Sequence, residues 1–493
     1  MHPRCIAHVI GTLLVVIAGS LLFPLAVTLI YDENNFQSIL ISMLVILALG
    51  LPLRFLIPKD YELNIRDAVV IAVFGWIIIC AVSTFPFLFS GAIPSFTDAF
   101  FEMMSGYTTT GATILKDIEA LDHGLLIWRS ETHFLGGMGF LALTMIFLPH
   151  GMSGVHLSRA ESSPGQMITN ERVIPRNRDA LLWVWIAYTL LNLLNGMLLW
   201  LGGMSWFDSI CHAFSTVATA GYSPKNESMG HYGSAYFDWV TIVFMFLGGV
   251  TFMLYYHMQK GHWEIVGKNT ELRWYAGIVF FLCALGSLIL WSRGTYPNFL
   301  DALRHGAFQV VSLLTTTGLT TADYELWPQS AQMYLYTVCF IGACAGSTTS
   351  GIKIVHYVIL LKHLKATMLR FFIQPRFLSK VILNGQKLDE KIIHLAFAYF
   401  IINMFLVVVG GCMIVLMNEI DFRSALSSVV STLMNVGPGF GSVGPSENYQ
   451  HLSDASKWLL SWLMLVGRLE MFTALVVLYP AFWKNGSIGS SVK

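Results

Sequence analysis

Four segments of the chain each contain a serine, a polar turn and a glycine six residues after the serine. Glycine adopts positive φ without steric cost, so the carbonyls beside it can be turned towards a common point. A ring of such carbonyls replaces the hydration shell of a monovalent cation. Side chains vary between the turns whereas the glycine does not, which indicates that main-chain oxygens bind the ion and threonine hydroxyls add an inner ring. The candidate binding residues are Thr109, Thr110, Gly111, Thr219, Ala220, Gly221, Thr316, Thr317, Gly318, Asn435, Val436 and Gly437.

The composition is that of a membrane protein. Of 493 residues, 55% are hydrophobic and only 12% are charged, about half the charged share of a soluble domain. The formal net charge is zero, and no basic domain indicates nucleic-acid binding. The seven cysteines have neither CxxC nor metal-ligand spacing, so they predict no disulfide framework. No catalytic triad or carboxylate pair emerges, so the sequence does not indicate an enzyme.

Two kinds of hydrophobic segment alternate along the chain. A helix of about 20 apolar residues crosses a bilayer, and the predicted spans are residues 6–30, 36–57, 67–91, 124–148, 179–202, 236–257, 273–292, 331–361, 392–417 and 456–483. Four further segments each begin near an aspartate, which favours a helix N-terminus. The shortest of them reaches about 20 Å and cannot cross a core of about 30 Å. These segments are predicted to be re-entrant pore helices, at residues 97–109, 206–218, 299–315 and 421–434.

The order of these elements predicts an all-α polytopic membrane protein. After two N-terminal spans in residues 1–66, the order span, pore helix, glycine turn, span occurs four times. The repeats are expected at residues 67–150, 151–260, 261–365 and 366–493. Long repeats of one orientation, joined by linkers, predict one pseudo-fourfold unit around a single pore.

Basic residues predict the orientation of the spans. They concentrate in linkers at one end of the spans, and the longest linker carries Lys362, Lys365, Arg370, Arg376, Lys380, Lys387 and Lys391. By the positive-inside rule these linkers and both termini are cytoplasmic. The glycine turns then enter the bilayer from the outside. The lipid bilayer is therefore an expected partner, and the basic linkers are equally suited to anionic lipid or to a cytosolic protein.

The eighth predicted span is interrupted by ten small residues, 342–351. Irregular backbone at that depth is tolerated where it lines a wet cavity or is buried in protein, and a tight helix contact through small residues is an equal alternative. Arg468 lies near the middle of the tenth span, where a charge must face the protein interior. We expect its side chain to reach the permeation path and bond loop carbonyls, or else to pair with Glu470 or Glu102. The candidate gate residues are Gly342, Ala345, Gly346, Ser347, Thr348, Thr349, Gly351, Lys353 and Arg468.

Six motifs in order resemble one known family over nearly the whole chain: DAFFEMMSGYTTTGAT, LGGMGF, FQVVSLLTTTG, CAGSTTSGIK, NVGPG and GRLEMFT. The chain is similar to the Trk/Ktr/HKT potassium-transporter superfamily, and most of all to the bacterial Trk system membrane subunits. One departure is Ala343 in GACAG, where the family pattern leads us to expect glycine.

The resemblance implies potassium uptake across the bacterial inner membrane, with K⁺ as the transported ion and no covalent cofactor. It also implies a homodimer, a gate at the interrupted span, and control by a cytosolic nucleotide-binding ring similar to TrkA. In plant relatives a serine at one filter glycine accompanies sodium selectivity, and the four glycines here favour potassium. A sodium-conducting member of the same architecture is the first alternative. A small-solute secondary transporter is the second, although it would be expected to have inverted repeats.

Overall fold

The structure, a computed structural model, describes residues 1–55, 65–137, 178–370, 381–384, 386–469 and 471–483. Regular structure in these ranges is helical apart from one small hairpin, β1 (Ile382–Leu383) paired with β2 (Gln386–Lys387). The chain begins with α1 (Pro3–Ser20), α2 (Leu22–Ile30) and α3 (Phe36–Phe55).

The remaining helices follow in four groups along the chain. The first contains α4 (Ile65–Ser83), α5 (Phe85–Ser90), α6 (Phe96–Tyr107) and α7 (His123–Gly137). The second contains α8 (Arg178–Leu201), α9 (Trp206–Val217), α10 (Ala235–Gly248), α11 (Phe252–Gln259) and α12 (Trp263–Lys268). The third contains α13 (Thr270–Ser292), α14 (Phe299–Leu314), α15 (Gln329–Val338) and α16 (Ile354–Arg370). The fourth contains α17 (Glu390–Met417), α18 (Phe422–Leu433), α19 (Asp454–Arg468), α20 (Phe472–Val476) and α21 (Pro480–Trp483).

Several of these helices are long and apolar enough to cross a membrane, which confirms the prediction of a helical multi-pass membrane protein. The segments that qualify are Pro3–Ile30, Phe36–Phe55, Arg66–Ser90, Leu182–Leu201, Thr270–Ser292 and Glu390–Met417. The predicted span 124–148 is described only as far as Gly137. Its second half lies outside the described residues, as do Glu470 and the basic residues Arg376 and Lys380.

Three predicted spans are wrong as continuous helices. In 236–257, α10 and α11 meet at an angle of 89°. In 331–361, α15 ends at Val338 and α16 begins at Ile354. In 456–483, α19 ends at Arg468 and Met471 has a φ of 51°. Mean hydropathy over a window is insensitive to such breaks, because glycine and small residues are apolar and still end a helix when their carbonyls find other partners.

The four predicted pore helices are present as α6, α9, α14 and α18. Three of them have 12 residues, a length of about 18 Å at 1.5 Å per residue. Serine side chains cap the first two, where Ser95 accepts a hydrogen bond from the Asp98 N–H and Ser205 from the Asp208 N–H. Asp421 itself caps α18 by accepting from the Ser424 N–H. Each helix therefore begins at a polar residue suited to the membrane surface.

The C-terminal halves of the pore helices are buried on every side. All residues from Ala99 to Tyr107 of α6 are buried, and so are those from Gly306 to Leu314 of α14. Polar residues such as Glu102 and Gln309 are enclosed there together with the apolar ones. All four helices end four residues before their glycine. The glycine turns therefore begin in the interior of the molecule.

Candidate functional site

The four glycine turns share one backbone conformation. The residue two places before each glycine has a φ between 53° and 55°, and the glycine has a φ between 75° and 97°. Within the turns, the non-glycine residues with this left-handed conformation are Thr109, Thr219, Thr316 and Asn435. Threonine seldom adopts it, because the branched Cβ crowds the backbone. The first three turns are therefore held in a shape that threonine does not favour, whereas asparagine in the fourth turn adopts it more readily.

The same two hydrogen bonds join each turn to its pore helix. In the first turn, the Thr110 N–H donates to the Ser105 carbonyl at 2.9 Å and the Thr109 N–H donates to the Gly106 carbonyl at 3.1 Å. The equivalent bonds in the other turns are 2.8–2.9 Å and 3.2 or 3.1 Å long. This pair is the Schellman motif, whose left-handed residue is usually glycine. The serine six residues before each glycine therefore contributes its main-chain carbonyl in all four turns.

The four turns meet in a closed order. A Cβ atom added at Gly111 would overlap the Ala220 carbonyl oxygen of the second turn. The same relation holds from the second turn to the third, from the third to the fourth, and from the fourth back to the first. The overlapped oxygens in those cases belong to Thr317, Val436 and Thr110. Any residue larger than glycine at these positions would displace a neighbouring turn.

The carbonyl groups at this meeting point are buried and without hydrogen-bond donors from the described residues. The residues directly before the glycines, Thr110, Ala220, Thr317 and Val436, are each 0% exposed. None of the hydrogen bonds within the described ranges is accepted by their carbonyl oxygens. Buried carbonyls in proteins are nearly always paired. Four unpaired oxygens from four turns therefore form a site whose chemistry suits a cation. All four glycines also line a cavity on one side of the turns.

The side chains of the left-handed residues contact groups outside their own turns. Thr109 Oγ1 accepts a hydrogen bond from Arg468 at 3.1 Å, and Thr316 Oγ1 accepts one from the Ser350 N–H at 3.0 Å. Thr219 Oγ1 lies 3.2 Å from Thr348 Oγ1. Asn435 Nδ2 donates to Thr110 Oγ1 at 2.8 Å and to the Met464 carbonyl at 2.9 Å. The strained residues are therefore held by the interrupted span, by α19 and, for Asn435, by the neighbouring first turn.

Between α15 and α16 the interrupted span is an irregular loop, residues 339–353, which folds back on itself within the protein. It is fastened to the break between α10 and α11, where the Cys344 N–H donates to the Gly249 carbonyl at 3.1 Å and Thr251 Oγ1 donates to the Ala345 carbonyl at 2.7 Å. The Ala345 N–H donates to the carboxylate of Glu271 on α13 at 2.7 Å. Ala343, where a glycine was expected, is 0% exposed and causes no break in these contacts.

The predicted gate residues lie together in this segment. Thr348 Oγ1 donates to the Gly248 carbonyl at 3.1 Å, and Ser347 Oγ lies 2.7 Å from Thr349 Oγ1. Lys353 is buried and donates to the carbonyl and hydroxyl oxygens of Thr349. The Gly342 N–H bonds back to the Ile352 carbonyl at 2.9 Å. The remaining three predicted residues of the segment are Ala345, Gly346 and Gly351, and the N–H of Phe252 donates to the Gly346 carbonyl at 3.0 Å.

Arg468 joins three parts of the molecule. Its guanidinium group donates to the Thr348 carbonyl at 2.7 Å and to the Gly136 and Gly137 carbonyls at 2.6 and 2.8 Å. The same group reaches Thr109 of the first turn. The expected bond to a loop carbonyl is therefore present. The alternative pairing with Glu102 is wrong, because Glu102 binds Arg129 at 2.6 Å.

A set of glycines in contact with the pore helices was missed by the sequence reasoning. Cβ atoms added at Gly136 and Gly467 would overlap the carbonyl oxygens of Tyr107 and Leu433, and one at Gly248 would lie 2.9 Å from the Val217 carbonyl oxygen. In each case the carbonyl belongs to the last residue of a pore helix. The available signal was a glycine about 25 to 30 residues after each turn, at the end of an apolar run.

Comparison with known proteins identifies the family of this chain. The family model for TrkH, described as a cation transport protein, matches residues 35–261 and 278–484. The chain is 34% identical over 489 residues to the Trk system potassium uptake protein TrkH of Escherichia coli K12. The alignment covers 98% of this chain and 100% of that protein. It is 30% identical over 493 residues to the Trk system potassium uptake protein TrkG of the same strain, covering 98% and 99%.

A solved structure is also similar over the full length. The crystal structure of the potassium transporter TrkH from Vibrio parahaemolyticus matches with a TM-score of 0.87 at 31% identity, covering 98% of this chain and 100% of that chain. The family resemblance of the six motifs is thereby confirmed, and so is the expectation of a transport protein rather than an enzyme. The chain belongs to the TrkH family of cation transport proteins.

Proposed function

We propose that this protein takes up potassium across the bacterial inner membrane, and that K⁺ passes through a filter built from the four glycine turns. The filter consists of the twelve residues predicted from the sequence, three from each turn. The observation that carries the proposal is the set of four fully buried residues with unpaired carbonyl oxygens around one point. Such oxygens replace ion hydration at no cost to existing hydrogen bonds. The membrane potential contributes about 2.3 kcal/mol per charge per 100 mV to inward movement.

Potassium is proposed over sodium on two grounds. Glycine stands at all four equivalent positions, so the four turns share one backbone geometry. The relatives in Escherichia coli are named as potassium uptake proteins. A sodium-conducting member of the same architecture remains the competing function. Growth on limiting potassium separates the two, because a protein that conducts only sodium does not restore it.

We further propose that residues 342–351, together with Lys353 and Arg468, gate the pore. The hydroxyl groups of three turns bond to this segment or to Arg468, so a movement of the segment would change the support of the filter. The positive charge of Arg468 would oppose a cation nearby until the side chain moves. An immobile small-residue contact between helices is the competing interpretation.

The larger organisation is part of the same proposal. The four groups of helices form pseudo-fourfold repeats at 67–150, 151–260, 261–365 and 366–493, after two N-terminal spans in 1–66. Both termini and the basic linkers are cytoplasmic, following the positive-inside rule. The protein works as a homodimer with a cytosolic nucleotide-binding ring, consistent with relatives named for a Trk system. The basic residues of 362–391 are the proposed docking surface for that ring.

Growth on limiting potassium tests the proposed function. The unsubstituted chain should restore growth to cells stripped of their own potassium uptake systems, and Gly318→Ala should not, because the new Cβ would overlap the Val436 carbonyl oxygen. Gly294→Ala is the matched control: Gly294 has a φ of 70°, close to the 75° of Gly318, but no atom within 4 Å of an added Cβ. Failure of the unsubstituted chain to support growth would overturn potassium uptake. Sodium uptake by the same cells would then favour the sodium-conducting alternative.

A further inference from the structure

A buried ion pair lies beside the outer limbs of the first and second turns. Glu102 on α6 is 0% exposed and Arg129 on α7 is 1% exposed. The Nε atom of Arg129 donates to Oε1 of Glu102 at 2.6 Å. A pair of charges removed from water is retained in a protein only where further hydrogen bonds compensate its lost hydration. The other bonds of this pair therefore indicate what it holds in place.

Glu102 holds the chain that leaves the first turn. Its carboxylate accepts hydrogen bonds from the Thr113 hydroxyl at 3.0 and 3.1 Å and from the Ile114 N–H at 3.0 Å. These residues follow Gly111 by two and three positions. The carboxylate thus fixes the outer limb of the first turn against the pore helix that supports the inner limb.

Arg129 and Tyr222 hold the chain that leaves the second turn. Arg129 donates to the Ser223 carbonyl at 3.0 Å, and its guanidinium lies 3.5 Å from the centre of the Tyr222 ring, a favourable cation–π distance. The Tyr222 hydroxyl donates to the Glu102 carbonyl at 2.7 Å and reaches the Ala112 carbonyl at 3.3 Å. Tyr222 directly follows Gly221 and Ala112 directly follows Gly111. The two turns are therefore cross-linked one residue beyond their glycines.

Of the ion pairs among the described residues, only that of Glu102 and Arg129 has both side chains almost completely buried. Nine residues before the glycines, the four pore helices carry a polar residue that is 0% exposed: Glu102, His212, Gln309 and Ser428. Beyond their glycines, the second and third turns are joined by a neutral bond from the Gly230 N–H to the Thr320 carbonyl at 3.0 Å, and the fourth and first by one from the Tyr449 N–H to the Thr113 carbonyl at 2.9 Å. The third and fourth turns are joined through Glu325, which accepts from the Gly441 N–H at 3.1 Å and pairs with Arg423 at 2.7 Å, but the Arg423 side chain is 49% exposed. Bonds to charged groups are shorter and stronger than neutral ones. The boundary between the first two turns is thus the one held by a charge pair shielded from water, where such a pair interacts more strongly than at the surface.

We propose that Glu102, Arg129 and Tyr222 are positioning residues that set the spacing of the first two filter turns, and so determine discrimination between potassium and sodium. The inference rests on the proposed function, because it assumes that the glycine turns bind the ion. Ion discrimination requires carbonyls held at a distance that suits the larger ion. Loss of the cross-link lets the turns approach, and sodium is then admitted while conduction continues.

The test compares uptake of Rb⁺, as a tracer for potassium, with uptake of Na⁺ in cells stripped of their own potassium uptake systems. Glu102→Gln keeps the side-chain volume and removes the charge, and Tyr222→Phe removes only the hydroxyl. Both should raise the Na⁺ to Rb⁺ uptake ratio, by about tenfold for Glu102→Gln, which corresponds to about 1.4 kcal/mol of discrimination. The ratio is independent of how much protein reaches the membrane, so a purely structural loss does not change it.

Asp98→Asn is the matched control. Asp98 lies one turn before Glu102 on α6 and pairs with Lys457 at 2.6 Å, so the same chemical change breaks an ion pair away from the glycines. The ratio of this variant should equal that of the unsubstituted chain. An unchanged ratio in Tyr222→Phe and Glu102→Gln, or an equal shift in Asp98→Asn, overturns the inference. If Glu102→Gln does not assemble, Tyr222→Phe decides. No Rb⁺ uptake by the unsubstituted chain overturns the proposed function itself, and the inference with it.

Discussion

At the scale of single residues, the left-handed threonines carry strain that outside contacts sustain. A residue in a sparsely populated backbone region costs about 1–3 kcal/mol, and three threonines and an asparagine have that conformation here. Thr109 and Thr316 accept hydrogen bonds from Arg468 and from the Ser350 N–H. Their hydroxyls therefore join the strained turns to the proposed gate. The strain persists because each turn is bonded to its pore helix through the backbone and to the gate through this side chain.

Thr316→Val tests this connection. Valine keeps the branched side chain but cannot accept the hydrogen bond of the Ser350 N–H, which stays buried without that partner. We expect a loss of about 1–3 kcal/mol in stability, seen as a lower midpoint of thermal unfolding of the purified protein. Thr295→Val is the control, because Thr295 Oγ1 is buried with no hydrogen-bond partner among the described residues. Equal midpoints for the two variants would contradict the connection.

The serine before each glycine illustrates what a sequence reveals at this scale. Its spacing was visible because the Schellman geometry recurs at a fixed offset from the glycine. The partners of its hydroxyl were not, since they differ between turns: Ser312 donates to the Leu319 carbonyl at 2.6 Å, whereas Ser431 lies 2.6 Å from the Tyr449 hydroxyl. Local backbone geometry repeats with the sequence, and contacts across the fold do not.

At the scale of elements, the breaks in the long helices are as important as the helices. Hydropathy correctly predicted the short length of α6, α9, α14 and α18, because a segment too short to cross the bilayer is visible in the sequence. It did not predict the bend of 89° between α10 and α11. That bend depends on the Gly248 and Gly249 carbonyls finding partners in the interrupted span. A break of this kind is set by tertiary hydrogen bonds, which a window of residues does not contain.

Gly467→Ala tests the close packing at one such break. The added methyl group would overlap the Leu433 carbonyl oxygen at the end of α18, so we expect a loss of about 1–3 kcal/mol from overpacking. Gly277→Ala is the control in the middle of α13, where no atom lies within 4 Å of an added Cβ. That substitution should stabilise the helix by up to about 1 kcal/mol. The fraction of protein that stays monodisperse after heating measures both, and a Gly467→Ala variant as stable as Gly277→Ala would refute the packing argument.

Arg468 gives a second prediction at this scale, because it links α19 to the interrupted span and to α7. If its charge opposes cations, Arg468→Gln should raise potassium uptake per molecule. Arg468→Lys keeps the charge but loses most of the planar donors, so its uptake should stay near that of the unsubstituted chain. Rb⁺ uptake normalised to protein in the membrane measures both. An equal rise in both variants would show that the hydrogen bonds matter rather than the charge, and loss of assembly in both would support a structural role.

At the scale of the whole molecule, the order of the elements and their arrangement around a single pore could be predicted from the sequence, whereas the contacts that close the ring of turns could not. The four glycine turns among apolar spans predicted one common site, because a long helix, a pore helix and a glycine turn follow one another in each group of helices. The closure depends on contacts between Gly437 and Thr110, which stand at opposite ends of the repeats. No local pattern encodes that contact. The contact forms only when the long helices bring the four buried ends of the pore helices to one point. A bound ion would then be the partner of the four unpaired carbonyl oxygens.

This last step predicts that the fold is more stable when potassium is bound. A ligand that binds only the native state at one hundred times its dissociation constant contributes about 2.7 kcal/mol. The thermal midpoint of the purified protein should therefore be higher in potassium chloride than in choline chloride at equal ionic strength, with sodium chloride close to choline. Gly294→Ala should retain the difference, because its added Cβ meets no atom within 4 Å. Equal midpoints in the three salts at saturating concentration would mean that the buried carbonyls of Thr110, Ala220, Thr317 and Val436 do not hold an ion.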